Sequence, residues 1–257
     1  PQLFRGRGLA LMGVAISAPQ SVWALGAPLL EGPVWVARDS ELWFVDINAP
    51  ALHRYDPTSR HLDTWAMPES IGCIALKQGG GVIGALRDGI YDLDLHGGHR
   101  KKLADEPYDD PQDQRFNDGR CDRQGRLIAG TMFEPRSRAG GALYRFDGGR
   151  MVKLSLAGDL TISNALAWSP DGATMYHADT PTQQVYAYDY DGKSGGISNR
   201  RVFLDLSDRG EKPHGATVDS AGNYWVALYG AAKVVQFSPD GQRMREIRLP
   251  VKAPTMP

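Results

Sequence analysis

Four side chains of this 257-residue sequence are spaced so that they could share one chemical centre. Glu31, Asn117, Asn164 and His214 stand 10 or 11 residues ahead of short β-branched and aromatic runs that begin at Leu42, Leu127, Thr174 and Tyr224. A carboxylate supplies charge, an amide oxygen is a neutral hard donor and an imidazole nitrogen is a softer one. Together they describe a mixed oxygen and nitrogen site for a divalent cation, with positions left for water and substrate. The same polar groups could instead hold only ordered water, since buried polar atoms must find partners. No local turn spans the distances between these residues, so larger elements must bring them together.

Those elements recur along the chain. One strand-turn-strand unit appears five times, as "GPVWVARDSELWFVDI", "CIALKQGGGVIGAL", "DGRCDRQGRLIAG", "ALAWSPDGATMYHADT" and "GATVDSAGNYWVAL". The second strands of these units start at Leu42, Val82, Leu127, Thr174 and Tyr224, in steps of 40, 45, 47 and 50 residues. A further hairpin follows each copy, at "LHRYDPTSR", "GIYDLDLHGG", "ALYRFDGGR", "VYAYDYDGKSG" and "KVVQFSPDGQ". Four strands per repeat at this period predict an all-β fold, a β-propeller whose innermost strands line a central channel. Residues at one equivalent place near the start of each inner strand then face a common axis. In the second copy that place falls to Gly72 or Cys73.

The segment "LPVKAPTMP" reads as the inner strand of a sixth copy, with Thr255 at the axial place. The expectation is therefore a six-bladed propeller, its last blade incomplete, formed as one domain by residues 21–257. Residues 1–20, with a basic start and a short apolar run, are expected to be a leader or a disordered N-terminal segment. Asp122, Asp171, Asp219 and Asp240 belong to Asp-x-x-Gly and Pro-Asp-Gly turns, where the carboxylate bonds the turn backbone and glycine supplies positive φ. Trp35, Trp43, Trp168 and Trp225 recur in the hairpins and read as packing between blades. His53, His61, His96, His99 and His177 lack ligand spacing and read as surface or packing residues.

A formal net charge of -1 without a long run of one sign leaves no electrostatic footprint for nucleic acid or an anionic membrane, which favours small-molecule chemistry. Two cysteines, Cys73 and Cys121, are too few for a disulfide framework and show no metal-ligand spacing, so a reducing cytoplasm is the expected location. The oligomeric state is not readable.

At "EGPVW" (31–35), "RFNDGRCDRQGRLIAGTM" (115–132), "ISNALAWSPDG" (162–172) and "GATVDSAGNYWVALYG" (215–230), the chain resembles the family of senescence marker protein 30 (regucalcin), gluconolactonase and related sugar-acid lactonases. The resemblance runs from about residue 21 to the last. It implies a six-bladed propeller with one axial divalent cation that hydrolyses cyclic esters of sugar acids. It also implies Glu31 and Asn164 as metal ligands, Arg115 and Asn117 as substrate-binding residues, and Glu134 as a further substrate contact. One departure stands out: where the family pattern has Pro-Asp-Gly, with the aspartate as ligand and proposed general base, this chain has Pro213-His214-Gly215.

An imidazole can ligate a transition metal or accept a proton near neutral pH, but one ring nitrogen does not do both, and the ligand role is the expectation here. His214 brings no negative charge, so zinc, iron(II) or manganese should be preferred over calcium. The expected activity is opening of a sugar lactone by water, with His214 as the catalytic residue and Arg115 and Asn117 holding ring hydroxyls. The rival expectations are a metal-dependent phosphotriesterase and a propeller that binds metal or ligand without hydrolysis because His214 has replaced the base.

Overall fold

The computed structural model describes residues 18–155 and 160–257. The leader expected over residues 1–20 lies, but for its last three residues, outside the described residues. Alternation of apolar and polar side chains between turn clusters produces twenty antiparallel strands. Blade 1 comprises β1 (Leu30–Val36), β2 (Glu41–Asp46), β3 (Ala51–Asp56) and β4 (His61–Ala66). Blade 2 comprises β5 (Ile71–Leu76), β6 (Val82–Leu86), β7 (Gly89–Asp94) and β8 (His99–Asp105). Blade 3 comprises β9 (Gln114–Cys121), β10 (Leu127–Phe133), β11 (Leu143–Asp147) and β12 (Arg150–Lys153). Blade 4 comprises β13 (Ser163–Trp168), β14 (Thr174–Asp179), β15 (Gln184–Asp191) and β16 (Gly196–Asp205). Blade 5 comprises β17 (Lys212–Val218), β18 (Tyr224–Tyr229), β19 (Lys233–Phe237) and β20 (Arg243–Arg248). Each is a four-stranded meander.

The described residues thus form five blades, not the six expected from the sequence. The last eight residues hold three prolines, which lack the N–H that a ladder needs, and no strand forms there. They lie instead as a strap between the first and last inner strands. Gly215 N–H donates to the Thr255 carbonyl at 2.6 Å, and the Thr255 hydroxyl donates to the Leu30 carbonyl at 2.7 Å. Thr255 therefore occupies the predicted axial place without bringing a blade with it. Gly215 must be glycine for this seam, because a Cβ there would overlap Met256 and the Thr255 carbonyl.

The apolar core lies between neighbouring blades. Val45, Leu52, Ile71 and Leu86 join blades 1 and 2; Ile128, Leu143, Met175 and Tyr188 join blades 3 and 4; Tyr176, Leu204, Tyr224 and Val226 join blades 4 and 5. Of the tryptophans expected there, Trp43 packs against the cluster between blades 1 and 2 and Trp168 against that between blades 3 and 4. Trp35 is 53% exposed, and Trp43 stacks on Trp65 within blade 1 at 5.8 Å. The turn aspartates behave as expected: Asp122, Asp171 and Asp219 each accept backbone N–H bonds in their turns.

All five inner strand pairs carry a register shift at the same depth. It falls after Glu31 in β1, at Gly72 in β5, at Asn117–Asp118 in β9, after Asn164 in β13 and at His214–Gly215 in β17. A bulge bends its strand and re-aims the side chains beside it. Here it turns one residue per blade towards the axis.

Candidate metal and substrate site

At the bulge of blade 1, Glu31 is only 5% exposed, and at that of blade 5 His214 is 9% exposed. His214 Nδ1 lies 3.4 Å from Glu31 Oε1 and 3.2 Å from the Thr255 carbonyl oxygen. With two oxygens facing one ring nitrogen, a proton must lie between Nδ1 and one of them, and a cation could take that proton's place. Tyr229, at the end of β18, stacks on the imidazole with ring centres 5.2 Å apart. Burial pushes the His214 imidazole down to about 4, with the Thr255 carbonyl a weaker opposing influence. Burial also pushes the Glu31 carboxyl well above its ordinary range, aided by the nearby Asp118 charge and opposed by Arg115. Burial therefore holds both groups in their neutral forms, and Glu31 would need a nearby positive charge in order to ionise.

Blades 3 and 4 supply the amides. Arg115 donates from Nη1 to Asn117 Oδ1 at 2.8 Å, and a guanidinium cannot accept, so the Asn117 amide nitrogen must face the other way. It donates to Asn164 Oδ1 at 3.0 Å and to the Ser163 carbonyl at 2.9 Å. Asn164 in turn donates from Nδ2 to the Thr180 hydroxyl at 2.8 Å. The orientation of the Asn164 amide is thereby fixed, its oxygen towards Asn117 and its nitrogen towards Thr180. Next to it, Ala165 adopts φ 61°, a left-handed conformation that costs a non-glycine residue about 1–2 kcal/mol. The buried Asp118 carboxylate, pushed up chiefly by burial, accepts N–H bonds from Ala165 and, at 3.2 Å, Leu166. It pins the bulge that aims Asn164.

Arg115 is 4% exposed and reaches outwards to Glu134, its Nε donating to Oε1 at 2.8 Å. Arg87, from the turn after β6, donates to the other Glu134 oxygen and to the Gln112 and Gln114 carbonyls at 3.0 Å each. Burial pushes the Glu134 carboxyl up, but the bonds from Arg87 and Arg115 outweigh it and keep it below its ordinary range. One hydrogen-bonded chain therefore runs from Arg87 through Glu134, Arg115, Asn117 and Asn164 to Thr180, crossing three blades.

The structure pairs Glu31 with His214, and joins Arg115, Asn117, Asn164 and Glu134 in a second group. The two groups meet through the field of Arg115 on Glu31 and through Thr180, whose hydroxyl donates to the Pro213 carbonyl at 2.7 Å. Arg115 pairs with Glu134 and not with Asp113, the alternative partner in its own loop. No three histidine, cysteine, aspartate or glutamate side chains converge among the described residues. The donor set is one carboxylate, one imidazole and one amide, which suits a single divalent cation with open positions. Thr180, Tyr229 and Arg87 were not read from the sequence. The repeat could have flagged Thr180, which directly follows the second strand of blade 4.

Comparison with known proteins gives this geometry its context. Residues 29–257 match the model of the SMP-30/Gluconolactonase/LRE-like region. The chain is 46% identical over 228 residues to a 6-deoxy-6-sulfogluconolactonase of Pseudomonas putida, covering 88% of this chain and 77% of that protein. It is 34% identical to human regucalcin over 88% of this chain and 77% of the relative. Among solved structures, a calcium-binding regucalcin from Agrobacterium tumefaciens superimposes with a TM-score of 0.85 at 28% identity, over 90% of this chain and 78% of that one. With the family model matching residues 29–257 and so spanning every blade, the chain belongs to the SMP-30/gluconolactonase/LRE-like family.

Proposed function

We propose that the protein is a lactonase that opens the cyclic ester of a sugar acid with the help of one divalent cation held by Glu31, Asn164 and His214. The observation that carries this reading is the close approach of Glu31 and His214 around Nδ1, with the Asn164 amide of the neighbouring blade held in a fixed orientation by Asn117 and Thr180. When bound, the cation supplies Lewis acidity towards the ester carbonyl.

The chain's own residues do the rest. Arg115, Asn117 and Glu134 form a pre-organised rim of donors and one ionised acceptor for ring hydroxyls, so the substrate binds in one orientation. The imidazole of His214 is neutral at pH 7 and offers its remaining lone pair as ligand. Glu31 would release its proton to solvent as a divalent cation binds, so that its carboxylate offsets one of the cation's two charges. The Pseudomonas putida relative is named for a sulfonated gluconolactone, and the same ring chemistry with an unmodified or substituted C6 defines the substrate class. The free thiols of Cys73 and Cys121 support the proposed cytoplasmic location.

A pH-indicator assay tests the reading. Chelator-treated protein should release acid from an aldonolactone panel only after zinc, manganese or iron(II) is restored, and should leave paraoxon-like triesters untouched. Turnover of triesters alone would replace the proposal with a phosphotriesterase. Lactonase activity that appears only in His214→Asp would identify the natural chain as a non-catalytic binder.

A further inference from the structure

Two of the proposed ligands sit on different blades, Asn164 on blade 4 and His214 on blade 5, yet one buried hydroxyl touches the machinery of both. Thr180 is 7% exposed and directly follows β14. Its hydroxyl donates to the Pro213 carbonyl at 2.7 Å and lies 2.8 Å from Asn164 Nδ2. A hydroxyl carries one proton, and a carbonyl can only accept. The proton is therefore committed to Pro213, and the Thr180 oxygen can only accept from Asn164. This forces the Asn164 side chain to present its NH₂ group to Thr180 and its oxygen to the opposite side, where it accepts from Asn117. Pro213 immediately precedes His214, so the other bond fixes the peptide that carries the imidazole.

Resting on the cation reading above, we propose that Thr180 is the positioning residue that orients the Asn164 amide and anchors the Pro213–His214 peptide, so that one hydroxyl sets two of three ligands. Thr180 does not itself face the substrate. Its removal would leave Asn164 Nδ2 and the Pro213 carbonyl without a buried partner and would let the amide turn over. An overturned amide aims two N–H donors at a cation. Asn117 still favours the correct orientation from the other side, so the loss should be partial.

The test is calorimetric titration of chelator-treated protein with Mn²⁺ and with Zn²⁺. Thr180→Val keeps the shape and removes the hydroxyl; it should weaken cation binding by about tenfold or more, the scale on which partners of metal ligands act. Thr180→Ser restores the hydroxyl and should restore affinity to within about threefold of the unsubstituted protein. In an Asn164→Asp background either orientation of the side chain presents an oxygen, so Thr180→Val there should cost clearly less than in the parent protein, leaving only the share that passes through the Pro213 carbonyl.

Undiminished binding in Thr180→Val, or equal losses in Thr180→Val and Thr180→Ser, would overturn the role of Thr180 while leaving the cation site intact. An equal loss in the Asn164→Asp background would show general damage to the fold and would also overturn it. If the unsubstituted protein binds neither ion, the cation reading itself is wrong and the role of Thr180 falls with it.

Discussion

His214 decides which ions the site can accept. An imidazole in place of a carboxylate removes one negative charge from a buried donor set and replaces a hard oxygen with a borderline nitrogen. The unsubstituted protein should therefore bind Zn²⁺ or Mn²⁺ more tightly than Ca²⁺, and His214→Asp should move the preference towards Ca²⁺ by roughly tenfold or more. Matched calorimetric titrations of both proteins check this, and tighter Ca²⁺ binding by the unsubstituted protein would contradict it. The rim makes a separate prediction. Arg115 engages Glu134 and Asn117 through two different nitrogens, a fork that lysine cannot reproduce. Arg115→Lys should lower kcat/KM for the best lactone by at least about tenfold, mainly through KM, with cation affinity nearly unchanged. Steady-state kinetics at saturating cation separates the two.

The inner strand is the element that turns spacing into geometry. Its second-strand partners were legible: β6, β10, β14 and β18 begin at the predicted residues, and β2 begins one residue early, at Glu41. The axial register of Glu31, Asn117, Asn164 and His214 was legible for the same reason, since each copy counts back the same distance to its bulge. The bulges themselves were not, because an extra residue in a strand leaves no compositional mark when alanine adopts the left-handed turn, as Ala165 does. Thr180 escaped because its importance depends on a contact between blades, and Tyr229 because its stacking on His214 depends on the cross-strand register at the end of β18. The seam between β17 and the strap carries its own prediction. Gly215→Ala would drive a methyl group into Met256 and the Thr255 carbonyl, so overpacking should cost about 1–3 kcal/mol and loosen His214. Thermal melting should show a lower Tm, and cation titration a weaker site.

Across the whole molecule, the number of repeats was readable and the number of blades was not. The sixth copy has the residue pattern of an inner strand, but within the described residues it forms no strand and joins blade 1 to blade 5 as a strap, through the bonds of Thr255 to Leu30 and Gly215. Two buried histidines then link global stability to pH. Burial pushes His214 down to about 4 and His177 down to about 3, while both rings titrate near 6.5 in an unfolded chain. Between those values the unfolded chain binds more protons, so this contribution is fully present above pH 6.5 and is lost as pH falls through 4 and then 3. His177→Leu should flatten the decline of Tm between pH 6.5 and 4 relative to the parent protein, and an unchanged slope would contradict the assignment.

The recurring kink of the inner strands has one more consequence. It is present in blade 2 as well, where Gly72 offers no side chain and the backbone of Phe116 closes over the place a Cβ would take. The main-chain kink therefore recurs whether a copy displays a donor, as in blades 1, 3, 4 and 5, or has no room for one, as in blade 2. Such a frame lets evolution, or an engineer, exchange donors one codon at a time and so reassign the preferred ion without redesigning the ring.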